Sequence, residues 1–252
     1  MKTQIYSTKG ENRGEIEVPE IFNSPLRDDL LKKAFRVVSL SNRRPYGSSP
    51  LAGTRRVGST SGPGMGIARM SRVAGSSRAI EHASTKGGRS AHSPRSTKVL
   101  TLKINKKEKA MAWNTALAMT ADPEAVKIRG HQFREDLSFP IVVEDGLDSI
   151  IRSKDAMEVL QSLGVWSDIE RSKEKTKIRA GRGKMRNRRY RTPKSILIVT
   201  ENPAQMRAFK GFPGIDIAYS GNISISKLAP GGVGGRLVIF TESAIKKIGV
   251  EQ

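Results

Sequence analysis

Arginine, glycine and one tyrosine dominate a short run near residue 180. The stretch Ile178-Arg179-Ala180-Gly181-Arg182-Gly183-Lys184-Met185-Arg186-Asn187-Arg188-Arg189-Tyr190-Arg191 alternates small and cationic residues, then closes in an arginine cluster around Tyr190. A guanidinium pairs with phosphate through a planar fork and also stacks on bases. An aromatic ring such as Tyr190 stacks on unpaired bases as well, and glycine lets a backbone approach its ligand closely. This chemistry is binding, not turnover. The candidate contacts to a nucleic acid are Arg179, Arg182, Lys184, Arg186, Arg188, Arg189, Tyr190 and Arg191. A charge run is ordinarily a solvated surface with both signs mixed. From Arg171 to Lys194, however, twelve basic residues meet one acid, Glu174, so the solvated reading is weak.

A second stretch carries the same sign in a different pattern. Residues 41–98 hold eleven Lys or Arg against one acid, Glu81, with nine glycines and one aromatic, Tyr46. The cations come in spaced ones and twos: Arg43 and Arg44, Arg55 and Arg56, then Arg69, Arg72, Arg78, Lys86, Arg89, Arg95 and Lys98. His92 lies among them, as a possible RNA contact or a solvated loop histidine. Apolar residues are few and follow no period, so burial cannot offset the entropy of ordering this segment. A loop of this length inside a compact domain is functional or disordered. Spaced charge on a slim chain suits threading between RNA helices. A DNA-reading module would instead place its charge on a helix.

Other chemistries find little support. No GxxxxGK[ST] phosphate loop is present. Gly62-Pro63-Gly64-Met65-Gly66 has the wrong spacing for a dinucleotide fold and lies within the basic loop, while the glycines at 231–235 precede a strand instead of following one. His82, His92 and His131 lack metal-ligand spacing, and the chain has no cysteine, which excludes thiolate metal sites and disulfides. His131 is expected to cap a helix end or satisfy a turn. Glu144, Asp145 and Asp148 follow a strand, where α/β folds bind ligands, but acids at a helix N-terminus are the simpler reading. No catalytic residue, metal, cofactor or small-molecule substrate is expected. An RNA-processing or RNA-modifying enzyme with an α/β catalytic domain is the alternative function, with a DNA-packaging protein behind it. No apolar run is long enough to cross a membrane, and neither basic segment has an amphipathic period, so no membrane partner is expected either.

The elements that must carry these segments read as an ordinary folded domain. The net charge is +21 over 252 residues, and the two basic segments account for all of it; the remainder holds 22 basic and 22 acidic groups, the balance of a globular body. Strands are expected at 3–8, 14–18, 141–143, 195–200, 215–219 and 236–240. Ser24-Pro25 predicts a helix start with an apolar face from Leu26 to Val38. Asn105 with Glu108 resembles a capping box before an alanine-rich helix, and Asp122-Pro123 starts another. Further helical pieces are expected at 147–152, 154–163, 202–209, 223–228 and 242–248. Alternation of strand and helix in the second half predicts an α/β fold, a mostly parallel sheet flanked by helices, with a long extended basic loop and a second basic segment. The expected division is a body of residues 1–41 and 99–252, a loop of 42–98, and a basic segment of 171–194 within the body.

Read together, short blocks along nearly the whole chain resemble large-subunit ribosomal protein four in its archaeal and eukaryotic form. They are Tyr46-Gly47-Ser48, Ala52-Gly53-Thr54-Arg55, Gly62-Pro63-Gly64-Met65-Gly66-Ile67-Ala68-Arg69, Lys86-Gly87-Gly88-Arg89-Ser90-Ala91-His92, Arg129-Gly130-His131-Gln132-Phe133, Lys177-Ile178-Arg179-Ala180-Gly181, Tyr190-Arg191-Thr192-Pro193-Lys194-Ser195-Ile196-Leu197, Leu228-Ala229-Pro230-Gly231-Gly232 and Gly235-Arg236-Leu237-Val238-Ile239-Phe240-Thr241-Glu242-Ser243-Ala244. The resemblance implies a structural constituent of the large ribosomal subunit, cytoplasmic and not an enzyme. It also implies a primary rRNA binder acting early in assembly. Its implied partners are large-subunit rRNA, neighbouring ribosomal proteins and the nascent polypeptide. The loop would reach the exit tunnel with a tip near 61–72, presenting Gly64, Met65, Gly66, Ile67, Arg69 and Met70. At that tip the chain departs from the family pattern: Met65 stands where arginine is common, and Met70-Ser71 where Ile-Pro is common.

Overall fold

A computed structural model describes residues 2–250. In chain order these residues form β1 (Lys2–Tyr6), β2 (Asn12–Glu17), α1 (Asp28–Ser41), α2 (Lys106–Ala121), α3 (Pro123–Ile128), β3 (Ile141–Val143), α4 (Ser153–Ser162), α5 (Trp166–Glu174), β4 (Lys177–Ile178), β5 (Tyr190–Arg191), β6 (Leu197–Thr200), α6 (Arg207–Lys210), β7 (Asp216–Tyr219), α7 (Ile225–Leu228), β8 (Val238–Thr241) and α8 (Glu242–Val250). Six strands make one sheet in the order β2-β1-β3-β8-β6-β7. Only the β1–β2 edge hairpin is antiparallel; the other pairings are parallel. This is the expected α/β class. The contacts divide the chain into two units, one holding residues up to Ser39 and from Lys103 onward, the other Leu40–Leu102.

Side-chain alternation explains why the central strands are apolar without a break. Val142, Leu197, Val199, Val238 and Phe240 point into one core with α1, α2, α7 and α8. Ile141, Val143, Ile198 and Ile239 point into the other, with α3, α4, α5 and α6. The register pairs like with like: Val142 lies beside Phe240, and Ile198 beside Ile239. A strand covered on both faces needs apolar residues at every position. Beyond the middle of α2 the helix is buried all round, from Thr115 to Ala121. Thr115 and Thr120 satisfy their hydroxyls on the carbonyls of Met111 and Leu117 at 2.8 and 2.6 Å.

Several boundaries differ from expectation, each for a local reason. Asp122 caps α3 as expected, accepting from the Glu124 amide at 2.9 Å. The Asn105–Glu108 capping box forms only in half: Asn105 makes no side-chain cap bond. The Asn105 backbone N–H still serves the Glu108 carboxylate, whose main partner is the Lys33 ammonium of α1 at 2.8 Å. The first helix starts at Asp28, later than Ser24-Pro25 suggests. Residues 145–149 are a 3-10 turn, and the helix expected from Asn202 is reduced to Arg207–Lys210. The helix α5 was not expected at all; its sequence WSDIERSKE buries only Asp168, Ile169 and Ser172, too sparse an apolar stripe to read.

Phe240 is fully buried and packs edge-to-face on Phe22 at 5.6 Å. Its replacement by Ala is expected to destabilise the protein by about 3–5 kcal/mol, measured as a fall in the urea midpoint with little change in slope.

Candidate nucleic-acid interface

Both ends of the 171–194 segment are fastened to the body by one buried carboxylate. Asp168, in α5, is fully buried and accepts from Arg171 Nε at 2.8 Å, Ser195 Oγ at 2.6 Å and the Gln132 amide at 3.1 Å; its Oδ2 lies 3.0 Å from His131 Nδ1. Arg171 also donates to the Lys194 carbonyl at 3.1 Å, and Ser172 Oγ to the Pro193 carbonyl at 2.9 Å. Entry and exit of the segment are thereby clamped side by side. Burial alone would raise the Asp168 pKa, but the bonds from His131, Arg171 and Ser195 outweigh it and hold the carboxyl at about 2. His131 was expected to be a capping or turn residue. It is instead a core residue, and burial depresses its pKa despite Asp168, with Arg171 and Arg129 opposing its charge further.

A second buried cation closes the same end of the sheet. Arg236, with no exposed surface, donates to the carbonyls of Ser195 and Lys227 at 2.8 and 2.7 Å and pairs with Asp216 at 2.8 Å. Lys194 takes the other side of Asp216, also at 2.8 Å. The glycines at 231–235, which lack a phosphate-loop context, serve packing: a Cβ on Gly235 would stand 2.5 Å from the Ala125 carbonyl. Arg129 binds the carbonyls of Pro230, Val233 and Gly234 around them, and burial lowers its pKa to about 10. Neither Arg129 nor Arg236 was singled out from sequence. Isolated arginines next to glycines carry no signal that separates an internal anchor from a surface contact.

Between its clamped ends the segment is a hairpin. Lys177 pairs with Arg191 and Ile178 with Tyr190, and the Arg179 amide donates to the Arg189 carbonyl at 2.8 Å. Arg179, Arg182, Lys184, Arg186, Arg188, Arg189, Tyr190 and Arg191 are all exposed. The Arg189 guanidinium sits 5.6 Å from the centre of the Tyr190 ring. Arg171 and Lys194 belong to the body's own ion pairs, so the free charge of this segment runs from Lys173 to Arg191.

Within residues 40–102 there is no helix beyond the end of α1, and the only pairings are two isolated bridges, Ser59 with Arg72 and Arg72 with Ala79. Two limbs nevertheless run side by side. The Ser48 amide donates to the Pro94 carbonyl at 3.1 Å, and a Cβ on Gly58 would fall 2.6 Å from the Arg72 carbonyl. Gly62, Gly64 and Gly66 have positive φ and nothing within 4 Å of a Cβ position. Of the candidate tip residues, Gly64, Met65, Gly66, Ile67 and Arg69 are exposed and Met70 is half-buried. Arg43, Arg44, Arg55, Arg56, Arg69, Arg78, Lys86, Arg89, His92, Arg95 and Lys98 are exposed, and Arg72 is half-buried. Arg72 reaches the Ser77 carbonyl, while its buried Nε has no partner. Arg43, Arg95 and Lys98 gather with Tyr46 around one small cavity; Arg89, His92 and Arg95 line another.

The distribution of ion pairs separates these segments from the body. Among the described residues, no cation from Arg43 to Lys98 and none from Lys173 to Arg191 pairs with an acid, whereas acids of the body hold Arg13, Arg27, Lys33, Lys127, Arg134, Arg171, Lys194, Arg236, Lys246 and Lys247. The strand-end acids do not converge on a reaction centre. Glu144 pairs with Arg13 and accepts from the Thr8 amide at 2.9 Å; Asp145 caps α8 by accepting from the Ser243 amide at 3.0 Å; Asp148 accepts from Thr200 Oγ1 at 2.8 Å. No cluster of metal-ligating side chains occurs among the described residues.

Comparison with known proteins agrees in extent with the whole chain. A sequence profile described as the ribosomal protein L4/L1 family matches residues 16–251. The large ribosomal subunit protein uL4 of Thermoplasma acidophilum is 59% identical over 247 residues, covering 98% of this chain and 97% of that one. The uL4 proteins of Haloquadratum walsbyi and Methanocaldococcus jannaschii are 40% and 41% identical, each over 98% of this chain and 99% and 98% of their own lengths.

A pH test follows from His131. Its folded pKa lies below the unfolded value of about 6.5, so the unfolded chain takes up the proton first as pH falls. Stability is full above that value and declines as pH drops through the folded pKa. In urea titrations from pH 8 to pH 5, His131→Gln is expected to lose less stability than the parent chain; an equal loss would show that His131 does not titrate as inferred.

Proposed function

The chain belongs to the ribosomal protein L4/L1 family and is a structural constituent of the large ribosomal subunit, not an enzyme, and on that premise we propose that its two basic segments bind large-subunit rRNA. The carrying observation is the charge that the protein leaves uncompensated: exposed cations from Arg43 to Lys98 and from Lys173 to Arg191, none with an acidic partner. Such charge repels itself until polyanion supplies the counter-charge, and phosphate does so with release of condensed counterions. The contacts are Arg43, Arg44, Arg55, Arg56, Arg69, Arg72, Arg78, Lys86, Arg89, His92, Arg95 and Lys98 in one segment. In the other they are Arg179, Arg182, Lys184, Arg186, Arg188, Arg189, Tyr190 and Arg191. The clamp at Asp168 supports the second set, because it presents the hairpin from a fixed root.

The protein acts in the cytoplasm, early in subunit assembly, with rRNA and neighbouring ribosomal proteins as partners. The turn around residues 61–71 faces the nascent polypeptide in the exit tunnel, through Gly64, Met65, Gly66, Ile67, Arg69 and Met70. What supports this reading is the openness of the turn: its glycines have no neighbours and Met65 and Ile67 are exposed, apolar side chains that the chain itself does not cover.

Two measurements test the proposal. If about ten cations meet phosphate, log affinity for large-subunit rRNA falls against log salt with a slope of about −7 to −9; a slope shallower than about −3 would contradict it. Replacing residues 61–68 with two glycines leaves Arg69 and both residues of the Ser59–Arg72 bridge in the chain. This variant is expected to bind rRNA as the parent does and to change nascent-chain stalling in translating extracts. Loss of incorporation into subunits would make the turn an assembly anchor instead.

A further inference from the structure

Glu81 is the one acid among the eleven cations of residues 41–98. Among the described residues its carboxylate has neither ion pair nor hydrogen bond, although arginines surround it in sequence. Its backbone is held at φ 67, and that of His92 at φ 49; these are two of three non-glycine residues with positive φ among those described. Both line one open cavity of about 510 Å³, together with His82, Arg89 and Arg95. That volume lies within the range of about 300–1,000 Å³ typical of ligand sites. Left-handed backbone at a residue other than glycine costs free energy, and it collects at binding sites where the surrounding structure imposes it. Here the Arg89 amide bonds the Glu81 carbonyl at 3.3 Å, and His82 Nδ1 accepts from the Ser84 amide, also at 3.3 Å.

A free carboxylate in a segment that meets phosphate is unfavourable unless it receives neutral donors. RNA offers these at its 2′-hydroxyls, one to a nucleotide, and on base edges, where donors can stand side by side in one plane. A carboxylate has two acceptor oxygens side by side. Guanine alone presents two adjacent N–H donors, N1–H and N2–H, on its Watson–Crick edge; cytosine and adenine set one amino group beside a ring acceptor, and uracil sets one N–H between two carbonyls. We propose that this cavity takes an unstacked guanine of the rRNA, read by both oxygens of Glu81, with the His82 and His92 rings stacking on the base and Arg89 and Arg95 holding the flanking phosphates. The inference rests on the rRNA-binding reading above and adds base specificity to it.

The test uses the full chain bound to its large-subunit rRNA, comparing the parent with Glu81→Gln, a change on an exposed segment that leaves both cores untouched. Gln offers one acceptor and places an amide donor against a guanine donor. The proposal expects affinity to fall by about five- to 150-fold, the range of one bidentate base contact, with the salt slope unchanged. It also expects one guanine, protected from kethoxal at N1 and N2 by the parent, to become reactive. A carboxylate that merely sits among phosphates predicts the opposite sign, tighter binding on losing its charge, and that result overturns the proposal. So does an unchanged kethoxal pattern. Failure of rRNA binding itself would appear separately, as a shallow salt slope in both proteins.

Discussion

Uncompensated positive charge is the constraint around which this molecule is arranged. A folded body tolerates cations by balancing them with acids and pairing some directly, as this one does at Arg13, Lys33, Lys127 and Arg236. The segments 43–98 and 173–191 hold one acid each, and none of their cations is paired among the described residues. Their composition also denies them a core: in the first, Ile80 is the one buried apolar side chain among the described residues. Neither electrostatics nor burial gives them a strong preference for a single conformation in isolation. A large polyanion supplies both the counter-charge and the surface, which is why binding and ordering are expected to occur together.

The same residue type serves two opposite ends in this chain. Arg236 is fully buried, bonded to carbonyls and to the half-buried Asp216, and its removal would leave several carbonyls without their donor and Asp216 with Lys194 alone. A buried carbonyl left without its donor is destabilising by about 1–3 kcal/mol. Arg188 or Arg191, a short distance along the sequence from Asp168, faces solvent with no partner. The body's arginines hold its own carbonyls and carboxylates in place; the segments' arginines are left for phosphate. Asp168 joins the two regimes, since the bonds that satisfy it also set where the hairpin begins and ends.

Glycine has a comparable division of labour. At Gly58 and Gly235 it permits a close approach that a Cβ would block, so the neighbouring chain can lie against it. At Gly62, Gly64 and Gly66 no neighbour exists, and positive φ itself is the requirement. The first kind builds the molecule's own packing. The second keeps a turn narrow, with Pro63, Met65, Ile67, Ala68 and Arg69 as its exposed side chains. Glu81 and His92 adopt similar backbone angles without the freedom of glycine, which sets their cavity apart from the rest of the segment.

The central strands were legible from sequence because burial on both faces demands an unbroken apolar run, and Ile141–Val143, Leu197–Thr200 and Val238–Thr241 are such runs. The location of charge was equally legible, since local composition alone reports it. Strand order was not, because β8 enters between β3 and β6 through contacts far apart in the chain. The helix α5 was hidden for a related reason: its buried face is built around Asp168, a carboxylate that becomes a core residue only when His131, Arg171 and Ser195 converge on it from three parts of the sequence. Local residue type determined where this protein is apolar and where it is cationic. Only the tertiary structure decided which cations are spent internally, because a salt bridge between distant residues has no signature until the chain has folded.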